Sequence, residues 1–187
     1  MKKEITSITK KRYEEIIPKL KTELGEKNLL ALPRVMKVVV NVGIGRLLKE
    51  SSRVEEVVAT LAQITGQKPV MTKARKAIAG FKIREDMEVG IKVTLRGRRM
   101  WQFLDRLLNA TIPRVRDFQG IPISSVDQGG NCNIGLKEHM MFPEIAQEKV
   151  QTIFGLEVTI VSTAKDKKAG EALFRMLGVP FRSEEDK

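Results

Sequence analysis

Apolar residues at helical spacing open the chain: Tyr13, Ile16, Ile17, Leu20 and Leu24 give residues 9–24 the pattern of an amphipathic helix. Pro18 is expected to kink or divide that helix, and Gly25 to end it. Pro33 then introduces a valine-rich stretch, 36–42, that reads as a strand, which Gly43 and Gly45 break. A second helix follows. Ser52-Arg53-Val54-Glu55 has capping-box spacing, Val54, Val57, Val58, Leu61 and Ile64 form its apolar stripe, and Gly66 is its natural stop.

Residues 68–72 have the length and residue types of a short strand, whereas 73–87 show no clean period and are rich in charge. From 89 to 95, Val89, Ile91, Val93 and Leu95 alternate with Gly90, Lys92 and Thr94, the pattern of a strand with one wet face. Two strands around a basic loop give a hairpin-like projection. Residues 100–108 return to helix through Trp101, Phe103, Leu104, Leu107 and Leu108. In the second half, strands are expected at 133–138 and 157–163, a short helix after Phe142-Pro143-Glu144, and a last helix at 165–177 stopped by Gly178 and Pro180.

Helices and strands without strict alternation favour an α+β fold, with a mostly antiparallel mixed sheet and helices packed on one face. The other face is left open to a partner, and a basic loop projects from the sheet. With no internal repeat, the 187 residues are expected to form a single compact domain. It divides into an N-terminal half (about 1–97), a C-terminal half (about 98–180) and an acidic tail, 181–187, of which 183–187 is expected to be disordered.

Charge narrows the partners. The 34 Lys and Arg against 23 Asp and Glu leave a formal charge of +11, which suits nucleic acid, an anionic membrane or an acidic protein. Aliphatic runs such as Val38-Val39-Val40 are far too short for the about 20 residues that cross a bilayer. The basic start Met1-Lys2-Lys3 has no apolar stretch behind it, so no secretory signal is expected, and a lone Cys132 fits a reducing cytoplasm. Enzyme signatures are absent. One His and one Cys cannot assemble a His/Cys zinc site, and His139 reads as an ordinary surface or half-buried residue. Gly43-Ile44-Gly45 starts like a dinucleotide fingerprint, but Leu48 stands where the third glycine belongs. Neither a catalytic set, a metal site nor a cofactor is expected.

The basic segment 68–99 carries Lys68, Lys73, Arg75, Lys76, Lys82, Arg84, Lys92, Arg96, Arg98 and Arg99, against Glu85, Asp86 and Glu88. A solvated loop is the bland alternative. Against it stand the charge density, the small Ala74, Ala77, Ala79 and Gly80 that let a backbone approach a phosphate chain, and Phe81 at the tip. Aromatics are 5% of the chain, too few for a reader that stacks single-stranded bases. Contact through phosphates, 2′-hydroxyls and the shape of a folded RNA follows.

Several strings taken together resemble a known family: Lys37-Val38-Val39-Val40-Asn41-Val42-Gly43-Ile44-Gly45, Thr65-Gly66-Gln67-Lys68-Pro69, the run 72–84, Lys92-Val93-Thr94-Leu95-Arg96-Gly97, Pro113-Arg114-Val115-Arg116-Asp117-Phe118 and Phe142-Pro143-Glu144-Ile145. In order and over nearly the whole chain, they are similar to bacterial large-subunit ribosomal protein five, the 5S rRNA-binding family. The resemblance implies a structural constituent of the large subunit that helps attach 5S rRNA in the central protuberance of the cytoplasmic ribosome. It gives that contact, by position, to Asn41, Gln67, Thr72, Thr94 and Arg96, with Lys68 and Lys92 counted beside them. It implies a second contact, to the peptidyl-site tRNA, for a loop that matches Lys73, Arg75, Lys76, Gly80, Phe81, Lys82 and Arg84. Large-subunit rRNA, neighbouring ribosomal proteins and a small-subunit protein across the interface are further implied partners. The run Val126-Asp127-Gln128-Gly129-Gly130-Asn131-Cys132 departs from the family, lacking two aromatics and an arginine, so the resemblance carries no contact over to that loop. The rival readings are a stand-alone RNA or tRNA chaperone and an enzyme acting on RNA.

Overall fold

The computed structural model describes residues 7–45, 47, 50–116, 118–146, 148 and 150–182. Five strands form one sheet: β1 (Val35–Gly43), β2 (Val70–Lys73), β3 (Glu88–Leu95), β4 (Cys132–Leu136) and β5 (Leu156–Ser162). Their order is β2-β3-β1-β5-β4, and each neighbouring pair is antiparallel. The valine-rich β1 lies at the centre, so β3 from the first half and β5 from the second share one strand.

Period-two alternation decides which face is dry. Val38, Val40 and Val42 of β1, Ile91, Val93 and Leu95 of β3, and Val158 and Ile160 of β5 are all at most 2% exposed. They join one apolar cluster with Ile16 and Leu20 of α1 (Ile8–Leu24) and Val57, Leu61 and Ile64 of α2 (Ser51–Thr65). Met100, Phe103 and Leu104 of α3 (Gly97–Arg106) and Leu173, Phe174 and Leu177 of α4 (Lys167–Leu177) complete it. Burial of these side chains is the main stabilising term, about 1.5–3 kcal/mol for each large aliphatic or aromatic group.

Helix ends follow the local rules with two exceptions. Gly25, Gly66 and Gly178 close α1, α2 and α4 in the left-handed conformation, as their positions suggested. Pro18, however, does not divide α1, which runs unbroken through it. The proline lies on the exposed face, so the carbonyl it leaves unpaired can turn to water. The second exception is the start of α2. Glu50 is its N-cap, without a side-chain capping bond, and the helix begins at Ser51, so the Ser52 capping box does not form. Glu50 instead pairs with Arg53 at 2.7 Å.

Other boundaries shift by a few residues. The first edge strand starts at Val70 rather than at 68, and α3 continues beyond 108 as a wider turn, Leu107–Thr111. Residues 143–146 are turn and bend rather than helix: a short 3-10 turn, His139–Met141, precedes Phe142, which leaves that turn in an extended conformation. His139 is not a surface or half-buried residue but 1% exposed. Its ring stacks on Phe154 with centroids 4.0 Å apart, and its Nδ1 accepts the Phe154 N–H at 3.4 Å. The acidic stretch 183–187 expected to be a disordered tail lies outside the described residues.

Candidate nucleic-acid interface

Strand register builds the outer face of the sheet rung by rung. One rung reads Val70, Lys92, Asn41, Glu157 and Gly135 across all five strands, because Val70 faces Lys92, Lys92 faces Asn41, Asn41 faces Glu157 and Glu157 faces Gly135. The next reads Thr94, Val39, Thr159 and Asn133, and on the other side Thr72, Gly90 and Gly43 form a third. Asn41, Lys92 and Glu157 are exposed; Thr72, Thr94, Val39, Thr159 and Asn133 are half-buried. The surface is largely polar and these rungs carry no aromatic ring, which suits sugar hydroxyls and base edges better than stacked bases.

The structure brings Asn41, Thr72, Lys92 and Thr94 together on this face. Arg96 follows β3 in an extended conformation as the N-cap of α3, and its exposed side chain continues the same alternation. Gln67 joins the group differently. Its amide donates to the Thr94 carbonyl at 3.2 Å and its Oε1 accepts from Arg99 at 3.4 Å, so it ties the end of α2 to the end of β3. Thr72 is held close as well, since a Cβ placed on Gly90 would lie 2.7 Å from the Thr72 hydroxyl oxygen. Lys68 is set apart from the others. It borders an apolar groove of about 510 Å³ between α2 and β2, with Val54, Val58, Pro69 and Met71, on the helix side of the sheet.

Sequence reasoning missed the β5–β4 side of this face, namely Glu157, Thr159 and Asn133, where the Thr159 hydroxyl donates to Asn133 Oδ1 at 2.8 Å. Leu156, Glu157, Val158, Thr159 and Ile160 alternate as plainly as β3 does, which was signal enough for a wet face. What the alternation lacks is the register that places Glu157 beside Asn41.

The loop between β2 and β3 is a second, separate surface. Ala74 and Met87 continue the hairpin through the Ala74 N–H on the Met87 carbonyl at 2.8 Å, and Ile78 and Ile83 exchange two backbone bonds of 2.9 and 3.2 Å nearer the tip. Between them Ala79–Phe81 forms a single 3-10 turn, closed by Lys82 in the left-handed conformation at φ 55°. Lys73, Arg75, Lys76, Lys82 and Arg84 are all exposed, and Phe81 is 74% exposed at the tip. Lys73 meets Asp86 at 3.9 Å, an exposed pair that neutralises little. An apolar ring surrounded by cations at the end of a hydrogen-bonded ribbon is suited to the backbone of a polyanion.

The unusual run 126–132 has a structural role. Asn131 donates its backbone N–H and its side-chain amide to the Asp127 carboxylate at 2.8–3.2 Å, which holds that carboxyl below its ordinary pKa. Asn131 Oδ1 accepts from Ser162 N–H at 3.1 Å, and the Ser162 hydroxyl donates to the Gly130 carbonyl at 2.6 Å. Cys132 is buried, and burial with the nearby Asp127 charge pushes its thiol up to about 12. Among the described residues, no group of three or more His, Cys, Asp or Glu could hold a metal ion, and no helix is long and apolar enough to cross a membrane.

Two family patterns match this chain: "Ribosomal protein L5" over residues 28–84 and the pattern for the C-terminus of the same ribosomal protein family over 88–181. The chain belongs to the ribosomal protein L5 family. Proteins named "Large ribosomal subunit protein uL5" are similar over almost the whole length. The one from Halothermothrix orenii is 49% identical over 94% of this chain and 98% of its own. That from Synechocystis sp. PCC 6803 is 49% identical over 96% and 100%, and that from Synechococcus sp. RCC307 is 50% identical over 93% and 98%. Family members are structural ribosomal components, and the chain is not an enzyme. Both surfaces described above fall within the matched residues, the loop in the N-terminal pattern and most of the sheet in the C-terminal one.

Proposed function

We propose that this chain is a structural protein of the large ribosomal subunit that holds 5S rRNA on the outer face of its sheet and helps attach that RNA in the central protuberance. Asn41, Thr72, Lys92, Thr94 and Arg96 make the contact, and Gln67 positions the strand end that carries Thr94. The loop residues Lys73, Arg75, Lys76, Gly80, Phe81, Lys82 and Arg84 reach a different molecule, the tRNA in the peptidyl site. Large-subunit rRNA, neighbouring ribosomal proteins and a small-subunit protein complete the partners, and the protein works in the cytoplasmic ribosome. The observation that carries the reading is the register that gathers four polar side chains from three strands on one open face. Asn and Thr there offer short donors and acceptors to 2′-hydroxyls and base edges, while Lys92 and Arg96 offer charge to phosphates.

The test is binding of the purified protein to 5S rRNA and to tRNA across a salt series. K92A/R96A should weaken 5S rRNA binding, and K73A/R75A/K76A/K82A should spare it while weakening tRNA contact. Equal loss of 5S rRNA binding in the loop variant would show that the two surfaces are wrongly divided. Absence of the protein from salt-washed large subunits would favour the stand-alone chaperone instead.

A further inference from the structure

We infer that Glu157 is a specificity-determining residue of the outer face, where its carboxylate takes the N1–H and N2–H donors of an unpaired guanine in the bound rRNA. The inference rests on the reading that this face holds rRNA, and adds what part of the RNA meets β5.

Glu157 is an acidic side chain on β5, on the face that also carries Lys92, Asn41, Thr94, Val39, Thr159 and Asn133. It is exposed, and among the described residues it has neither an ion-pair partner nor a side-chain hydrogen bond. Lys92 lies on the same rung but two strands away. At about 4.8 Å per strand the separation is about 10 Å, roughly one Debye length at 0.1 M salt. Lys92 forms no ion pair with the carboxylate. Exposed charges are often placed on edge strands to block pairing with another sheet, but β5 is paired on both sides and needs no such guard.

An ionised carboxylate only accepts hydrogen bonds, and it repels phosphates. RNA laid across Asn41 passes within one strand spacing of Glu157, so the nucleotide there must present donors. A 2′-hydroxyl, an adenine or a cytosine each presents a single donor group. Guanine alone sets two N–H groups side by side on its Watson–Crick edge, matching the two carboxylate oxygens. The neighbours leave room for it. Gly135 faces Glu157 across the ladder, and a Cβ there would meet nothing within 4 Å. A planar base can lie over that bare backbone while the Thr159–Asn133 hydrogen bond fixes the next rung.

The test compares wild type with E157Q, an isosteric change at an exposed site, in two measurements. In 5S rRNA binding, E157Q should lose about 10- to 100-fold in affinity, as expected for a bidentate base contact, with the salt slope unchanged because no phosphate contact is lost. In large subunits assembled with either protein, kethoxal, which modifies guanine at N1 and N2, should reach one guanine in the E157Q particles that wild type protects. Tighter binding by E157Q would place a phosphate at this site and overturn the inference. Unchanged affinity with no altered guanine would overturn it too, by putting Glu157 outside the footprint. If the protected guanine lies in the longer rRNA, and wild type fails to bind 5S rRNA, the guanine contact stands and the 5S assignment falls.

Discussion

Gly170 lies in the first turns of α4 with its Cα against Gly130, in the loop that leads into β4. A Cβ added at Gly170 would lie 2.5 Å from Gly130 Cα, 2.7 Å from its carbonyl oxygen and 2.9 Å from its carbonyl carbon. Two effects of G170A oppose each other. Alanine is the better helix former, worth about 0.8–1 kcal/mol over glycine within a helix. Against this, carbon atoms in contact prefer separations of about 3.5–4.0 Å, so α4 or the loop must retreat by about 1 Å. The atoms met are backbone, not the tip of a side chain. The loop is also held by the Ser162 hydroxyl on the Gly130 carbonyl at 2.6 Å and by the Asp127–Asn131 clamp, so it cannot yield cheaply. Overpacking of this kind costs about 1–3 kcal/mol, and the rigid backbone places it toward the upper end. The net loss is about 1–2 kcal/mol. For a chain of this size that lowers Tm by about 2–8 °C, and the urea midpoint should fall with an unchanged m-value. K168A, at an exposed site in the same helix, is the control and should shift stability by no more than about 0.5 kcal/mol. A G170A protein as stable as wild type, or more so, would refute the close approach of α4 to this loop.

Arg96→Ala should lower the salt slope of 5S rRNA binding by about 0.7–0.9 if the side chain meets one phosphate; an unchanged slope removes it from the phosphate contacts. Burial holds the His139 imidazole below its ordinary pKa of 6.5, so the folded protein binds this proton less readily than the unfolded chain. That stability is present above about pH 6.5 and is lost as pH falls through the lowered folded-state value. Urea unfolding should therefore show a loss between pH 7 and 5 that H139F, lacking the chain's single histidine, does not show; equal profiles would refute it. Cys132, with its thiol pushed up to about 12, should resist a thiol reagent at pH 8 until denaturant is added. Rapid labelling of the native protein would mean that β4 opens readily.

Alternation made the sheet legible because each strand that mattered has one dry face. Val38, Val40 and Val42 against Val39 and Asn41, and Ile91, Val93 and Leu95 against Lys92 and Thr94, place the polar residues without any structure. Failures came where a local rule has several solutions. A proline divides a helix only if the orphaned carbonyl has nowhere to turn, and Pro18 lies on the solvent-exposed face of a continuous helix. Ser52 and Glu55 have the spacing of a capping box, yet Glu50 already occupies the cap two residues earlier. His139 looked like a surface residue because the ring that covers it, Phe154, is 15 positions away and reached through a backbone bond to the same segment. The pairing of β5 with β1 is the extreme case. More than a hundred residues separate Asn41 from Glu157, and no local pattern sets that register.

The register also explains why one basic segment can serve two surfaces. Lys92 and Arg96 stand on β3, next to the central strand, whereas Lys73 to Arg84 extend from the sheet's edge beyond the last β2–β3 pair at Lys73 and Glu88. Charge density alone merges them, because both lie within about thirty positions of one another along the chain and each follows the same polyanion footprint. Topology separates them. The loop hangs from a two-stranded ribbon whose own bonds, Ala74 to Met87 and Ile78 to Ile83, hold it together without help from the core. The outer face, by contrast, is the back of the core itself, since Asn41, Lys92, Thr94, Thr159 and Asn133 alternate with buried residues. Substitutions on the ribbon should therefore leave the stability of the sheet untouched, while changes at Gly90 or Thr72 disturb both packing and surface. That difference makes the two proposed contacts separable by mutation.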